Sequence, residues 1–316
     1  MRERRRKATM GIRTATFRKA YEEYLAEKKS MGRQEETLKL YRIHIKHFIE
    51  SDNLWDINTM ILNKDVYHWW IEEMQEDENK QDVTVASYCR SVRAFIYWLQ
   101  ENDYCDYFKI EIPSFKKKVK RTYTDEELAT LLQKPEKHCS ETKYITWVYI
   151  NLCISTGLRL SSLLNIKVKD YVKDEKSIYV DTMKNNTPRI IYLNDEVTQI
   201  LNKYISYFGL EDDDWMFCTA EGGRLAKRTI QQMVHDYNLD YNVEKTSIHL
   251  FRHTFAKNYY KETKDIYSLC RILNHSTIST TEMYLRDLGI DSVSATSYNP
   301  QKQYVNTTQK RRGKMK

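Results

Sequence analysis

Apolar positions recur with helical spacing through the first hundred residues. In TFRKAYEEYLAEKKS, Phe17, Tyr21, Tyr24 and Leu25 follow at intervals of four, three and one, and Lys28 continues the face. TLKLYRIHIKHFIE repeats the pattern with Leu38, Tyr41, Ile45 and Phe48, and VTVASYCRSVRAFIYWLQ with Tyr88, Val92, Phe95, Ile96 and Leu99. KDVYHWWIEEM is a shorter amphipathic stretch between them. Each stripe buries one face of a helix, and four such helices over 14–103 enclose a small core. The pattern breaks in EIPSFKKKVKRTY, which holds a proline and the cations Lys116, Lys117, Lys118, Lys120 and Arg121. We read 14–108 as a helical domain and 109–123 as a basic interdomain linker. Its cations are either a solvated hinge or a track for a phosphate backbone, where counterion release rewards clustered Lys and Arg.

Beyond the linker the period changes. Thr124 followed by Asp125, Glu126 and Glu127 is a capping-box signature and opens a new helix. YITWVYINLCIST predicts a buried helix ending near Gly157. SIYVDTM and RIIYL alternate as strands, and KNNTP between them predicts a β-hairpin. Helices follow at about 195–207, 226–239, 247–260, 265–273 and 277–286. The fold class is therefore mainly α with a small β-sheet: a helical domain, then an α+β domain over 124–290. Residues 291–316 lack periodicity, end in QKRRGKMK, and form a basic tail that is a candidate oligomerisation segment.

Composition narrows the class of partner. A chain of 316 residues with 41% apolar residues and 24 tyrosines can bury a sizeable core, and only 8 Gly and 4 Pro favour helix over a turn-rich sandwich. The net charge of +7 points to an acidic partner, usually nucleic acid. Six cysteines without a C-x-x-C pair form neither a zinc pattern nor a disulfide framework. They read as reduced thiols of an intracellular protein. The basic start MRERRRK precedes no apolar segment, so it is not read as a secretory signal, and no apolar run reaches membrane-spanning length.

The candidate chemistry is cationic. His249 and Arg252 in SIHLFRHTFAKNYY lie three apart on one helix face, suited to an anion with several oxygens. The alternative is a helix that packs Leu250, Phe255 and Tyr259 inward and leaves its cations solvated. Arg159 stands after STG near a helix N-terminus, a favourable place for an anion. Lys184 sits at the mouth of the hairpin, with Lys176 and Arg189 as nearby rivals. LNHSTISTTEMYLR adds His275 and Tyr284, which nine residues at about 100° each would point apart on one straight helix. They converge only if Ser276 or Thr277 caps a new helix between them. His253 reads as a structural neighbour of the pair before it. His44 and His47 in HIKH lack further metal ligands, and no carboxylate set of the kind that holds paired Mg²⁺ is visible.

Taken together, TGLRLSSLLNI, KNNTPR, HLFRHTFA and LNHSTISTTEMYL resemble the signature segments of the tyrosine site-specific recombinases, the phage-type integrases. The family order Arg, Lys, His-x-x-Arg, His, Tyr is matched by Arg159, Lys184, His249, Arg252, His275 and Tyr284. The N-terminal bundle resembles the family's core-binding domain, so the likeness spans nearly the whole chain. Three departures stand out: Ser162 replaces the usual acid three positions after the first arginine, Asn274 replaces the glycine of L-G-H, and Phe251 replaces a leucine. Only Ser162 puts the positioning of the cationic groups in question.

The resemblance implies cutting and rejoining of DNA through a covalent 3′-phosphotyrosyl link, without metal, ATP or another cofactor. Tyr284 would be the nucleophile, Arg159 and Arg252 would hold the non-bridging oxygens, and Lys184 would protonate the leaving 5′-oxygen. His249 would act as acid or base toward the tyrosine, and His275 as a donor to the phosphoryl group. Implied partners are a double-stranded recombination site, three further copies of the chain in a tetramer on DNA, and accessory DNA-bending proteins. The expected setting is the cytoplasm, at the nucleoid. With about thirteen residues before the first helix, the chain resembles the simple two-domain Xer or mobile-element recombinases. A type IB topoisomerase and a catalytically silent DNA-binding regulator are the competing readings.

Overall fold

The computed structural model describes residues 14–114, 119–180 and 188–290. The chain divides into two compact units, Met1–Lys116 and Lys117–Lys316.

The first unit holds α1 (Phe17–Ser30), α2 (Glu35–Ser51), α3 (Lys64–Glu76) and α4 (Asp82–Glu101). Their starts follow from local chemistry: the Thr16 hydroxyl accepts the Lys19 amide, and the Asn63 side chain accepts the amides of Asp65 and Val66. The α4 stripe of Val85, Cys89, Val92, Phe95, Ile96 and Leu99 is buried, as its spacing predicts. Tyr24 fills the centre, edge-on to Phe95 and Trp98 at 5.3 and 5.6 Å. The HIKH histidines serve this core: His44 Nδ1 lies 2.8 Å from Ser91 Oγ, and His47 Nδ1 accepts from Trp70 Nε1 at 3.3 Å.

The second unit opens on α5 (Asp125–Leu132), whose capping box pairs Thr124 with Glu127. Next, α6 (Glu141–Thr156) buries Trp147, Val148, Tyr149, Ile150, Leu152 and Cys153 in near succession, so it is apolar all round. Such a helix belongs at the centre of a core. It packs against α5 and against three later helices: α8 (Asp195–Phe208), α9 (Lys227–Asp240) and α10 (His249–Thr263). A short α7 (Leu160–Leu164) follows α6.

The sheet is antiparallel in the order β1 (Tyr171–Val172), β2 (Ser177–Val180), β3 (Arg189–Tyr192), with Ile178 opposite Ile191 and Tyr179 opposite Ile190. The predicted hairpin strands are therefore paired over 177–180 and 189–192, while residues 181–187, Lys184 among them, lie outside the described residues. No alternation announces β1, because two residues carry no period. Two more helices, α11 (Ile266–Leu273) and α12 (Ile278–Asp287), join α10 in a small core of Ala256, Leu269, Leu273, Leu285 and Leu288. The whole is mainly helical with one small sheet, as the sequence pattern implies.

One glycine sets how closely α10 approaches the end of the central helix. Gly157 ends α6 at φ +60°, and a Cβ there would lie 2.2 Å from the Phe255 ring of α10. The left-handed backbone costs a side-chain-bearing residue about 1–2 kcal/mol, and displacing a packed ring costs about 1–3 kcal/mol more. Gly157→Ala should therefore destabilise the protein by at least about 2 kcal/mol in urea denaturation. An unchanged midpoint would show that Phe255 does not pack against this turn.

Candidate active site

The site forms where α6, α10, α11 and α12 end or begin. Arg159 is the residue capping the N-terminus of α7, in extended backbone at φ −74°, two positions past the Gly157 turn. Its guanidinium is half-buried and has no hydrogen-bond or carboxylate partner among the described residues. Burial lowers its pKa, and the nearby Tyr284 phenol opposes that shift.

Arg252 lies one turn into α10 and is only 6% exposed. Nη1 donates to Gly157 O at 2.6 Å and Nη2 to Leu273 O at 2.7 Å. Burial, followed by the charge of Arg159, pushes its pKa down to about 10. A third guanidinium joins them from β3. Arg189 Nη1 donates to Ile272 O at 2.5 Å and Arg271 O at 3.2 Å, while its Nε and Nη2 are buried without partners. Burial and Arg159 push its pKa down to about 10 as well.

These arginines organise the end of α11. The carbonyls of Arg271, Ile272 and Leu273 all accept from a guanidinium, and the helix stops at Asn274 in the left-handed conformation, φ 51°. Asparagine is among the few residues that tolerate this region, which accounts for Asn274 where the family carries glycine. His275 leaves that turn with Nε2 3.5 Å from Arg252 Nη2 and Nδ1 2.9 Å from the Thr281 hydroxyl of α12. Thr277 caps α12 by accepting the Thr280 amide, so the break predicted between His275 and Tyr284 is present. The two rings meet edge to face at 5.3 Å.

Tyr284 is held from several sides. Burial raises the pKa of its phenol, opposed by Arg252 and Arg159. Its oxygen lies 2.5 Å from His253 Nδ1. Lys120 Nζ sits 5.1 Å over the ring and 3.1 Å from Asp287 Oδ2, and the Lys120 amide donates to Asp287 O at 2.8 Å. His249, the first residue of α10, is exposed at the mouth of the site. Partial desolvation, then Arg252 and Arg159, lower its pKa.

The structure thus brings Arg159, His249, Arg252, His275 and Tyr284 together. Lys184 lies outside the described residues, as do Lys116, Lys117 and Lys118. Its rival Lys176 is engaged elsewhere, donating to Asp195 at 2.5 Å. Of the linker cations described, Arg121 is exposed and Lys120 rests on α12. Phe251 packs on Tyr123 at 4.5 Å, filling a buried slot. At Ser162 the position one turn after Arg159 carries no charge, and its amide donates to Arg159 O. Sequence reasoning set aside two groups that the fold brings to the site, Arg189 and His253. For His253 a signal exists, since it follows His249 by four residues and shares its face.

The histidines set a pH dependence. Burial, then Arg252 and Arg159, push His275 down to about 4; burial, then Lys120, His249 and Arg252, do the same to His253. An unfolded chain protonates histidine near about 6.5. Acidification through that window therefore adds protons to the unfolded chain first and favours it. Stability in urea should fall between pH 7 and 5, and His275→Gln should lessen the fall. An equal fall in both proteins would contradict a buried neutral His275.

Comparison with known proteins agrees with this geometry. The model of the phage integrase family matches residues 121–288, more than half of the chain. The tyrosine recombinase XerA of Saccharolobus solfataricus is 26% identical over 261 residues, covering 78% of this chain and 81% of that protein. The tyrosine recombinase XerD of Staphylococcus haemolyticus is 27% identical over 217 residues, covering 66% and 73%. Among solved structures, a lambda integrase fragment, crystallised as a dimer bound to a COC′ core site, superposes with a TM-score of 0.70 at 16% identity, covering 89% of this chain and 100% of that one. The likeness to lambda integrase is one of fold, the family match is one of sequence, and this chain belongs to the phage integrase family, the tyrosine recombinases.

Proposed function

We propose that Tyr284 attacks a DNA phosphodiester held by Arg159 and Arg252. The protein is a site-specific tyrosine recombinase, an enzyme that cuts and rejoins DNA. The observation that supports these residue roles is uncompensated charge: Arg159 and Arg252 lie near Tyr284, Arg189 lies near both of them, and no carboxylate pairs with any of the three among the described residues. Charge removed from water without a counterion is costly, and an entering phosphate supplies one. Arg252 spends N–H donors on Gly157, Leu273 and His275, which fixes its plane and leaves its remaining donors for the substrate. Arg159, with no hydrogen-bond partner among the described residues, can grip the second oxygen.

Attack by the Tyr284 oxygen forms a P–O bond and breaks the bond to the 5′ oxygen, leaving a 3′-phosphotyrosyl link. The three arginines and His275 face the charge that builds on the phosphoryl oxygens. Lys184 is assigned the proton for the leaving oxygen on family resemblance. The link conserves the energy of the phosphodiester, so rejoining needs no nucleotide. Partners are a double-stranded recombination site and, by analogy with the lambda integrase tetramer bound to a Holliday junction, three further copies of this chain. Accessory DNA-bending proteins belong to the same reading. The setting is the cytoplasm, at the nucleoid; among the described residues no helix is long and apolar enough to cross a membrane.

Covalent capture tests the assignment. The protein is incubated in EDTA, without ATP, with nicked duplexes of random sequence, and DNA still attached after SDS is recovered. Wild type should yield an adduct, and Tyr284→Phe should yield none while binding captured sites as tightly. An adduct with the variant would mean that another tyrosine attacks. On captured duplexes, Arg252→Lys keeps a charge but loses the braced fork, and should slow adduct formation roughly a hundredfold or more. A wild-type rate in that variant would remove Arg252 from the phosphate site.

A further inference from the structure

His253 stands one turn after His249 on α10 and is half-buried against α12. Its Nδ1 is 2.5 Å from the Tyr284 oxygen, and the ring centroids are 5.3 Å apart. Among the described residues it is the one imidazole hydrogen-bonded to that hydroxyl. The charged and titratable groups facing it are Lys120 from the segment before α5, His249 and Arg252 from α10, and Tyr284 and Asp287 from α12. In a neutral pair the phenol is the better donor and the unprotonated ring nitrogen the better acceptor. The Tyr284 O–H therefore donates to Nδ1, and the ring proton sits on Nε2.

We propose that His253 is the catalytic base of strand cleavage, taking the Tyr284 proton on Nδ1 as the tyrosine oxygen bonds to phosphorus. This rests on the reading of Tyr284 as nucleophile. The phosphorus–5′-oxygen bond breaks as the new bond forms, the electron pair leaves on the 5′ oxygen, and that oxygen takes a proton from the acid, the role assigned to Lys184. In rejoining, the His253 imidazolium returns the proton to the departing tyrosine.

The surroundings make such a base dependent on substrate. In the free protein burial is the largest influence holding His253 neutral, and Lys120, His249 and Arg252 add to it, with Asp287 opposing. A phosphate between Arg159 and Arg252 offsets that positive field and raises the basicity of the ring. The phenol becomes more acidic as its oxygen bonds to phosphorus, so the proton moves late. His249, assigned the acid or base role by resemblance, stands exposed at the mouth and has no described contact with the tyrosine.

The experiment is single-turnover adduct formation on a duplex captured by the wild-type protein. It compares wild type with His253→Asn, which keeps an acceptor but takes up no proton, and His253→Ala. At pH 7 both variants should be slower by roughly 10²–10⁴-fold with unchanged DNA affinity. The deficit should shrink as pH rises toward 9.5, because the small ionised fraction of the phenol, which needs no base, grows with pH while the base-assisted rate has levelled off. A substrate with sulfur in place of the bridging 5′ oxygen, whose thiolate leaves without a proton, should not restore the rate. Wild type alone should show a rate that rises with pH to a plateau.

A wild-type rate in His253→Asn would reduce the residue to positioning, and a deficit constant with pH or cured by the sulfur substrate would overturn the base role. A wild-type rate that climbs without a plateau to pH 9, in parallel with His253→Asn, would overturn it as well. The underlying reading fails separately, if Tyr284→Phe forms the adduct in the same series.

Discussion

The site depends on the confinement of three positive charges that no carboxylate pairs with among the described residues. Burial lowers the pKa values of Arg159, Arg189 and Arg252, the charge of Arg159 lowers those of Arg189 and Arg252 further, and Arg189 adds to the effect on Arg252. Isolated buried charge is among the costliest arrangements in a protein, so the fold must supply partial negative charge elsewhere. It does so with helix ends. Gly157 O at the end of α6 and the last three carbonyls of α11 all receive guanidinium N–H groups. The C-terminus of a helix is the negative end of its dipole, and its final carbonyls lack partners within the helix. Two helix ends thus stand in for the carboxylates that are missing.

That solution places tight demands on the backbone at the two helix ends. Both helices must stop sharply, and both do so on a left-handed residue, Gly157 and Asn274. At Gly157 the demand is doubled by the Phe255 ring, so only glycine fits; at Asn274 asparagine suffices. The departure at position 162 belongs to the same balance. An acid one turn after Arg159 would compensate part of the cluster in the free protein. With serine there, that compensation is absent and, on the proposed reading, the charge is left for the phosphate.

Much of this was legible in the sequence, for identifiable reasons. The stripes of α1 to α4 reflect one-sided burial, which periodicity reports directly, and Thr124 and Thr277 advertise helix starts through their hydroxyls. Arg159, His249, Arg252, His275 and Tyr284 were readable as a set because the spacing of the family motif carries them. What escaped depends on contacts between distant segments. His253 looked like a bystander of Arg252 until α12, thirty-one residues on, laid a hydroxyl against it. Arg189 looked like a rival to Lys184, yet it points to the end of α11, eighty-two and eighty-three residues away. Nor does the sequence show that Lys120, in a run of apparently solvated cations, rests on the ring of Tyr284.

The groups that remain uncharged are as informative as the arginines. The positive field and the burial together keep His253 and His275 neutral, and burial keeps the Tyr284 phenol protonated. In the free protein the Tyr284 phenol, the proposed nucleophile, is thus hydrogen-bonded and neutral. On the proposed reading, a bound phosphate would change each of these terms in the same direction: it would offset the arginines, strengthen the imidazole as a base and provide the electrophile that makes the phenol acidic. On that reading the substrate would complete the electrostatics of the site as well as fill it, and the proposed nucleophile would become reactive only with the phosphodiester already in place.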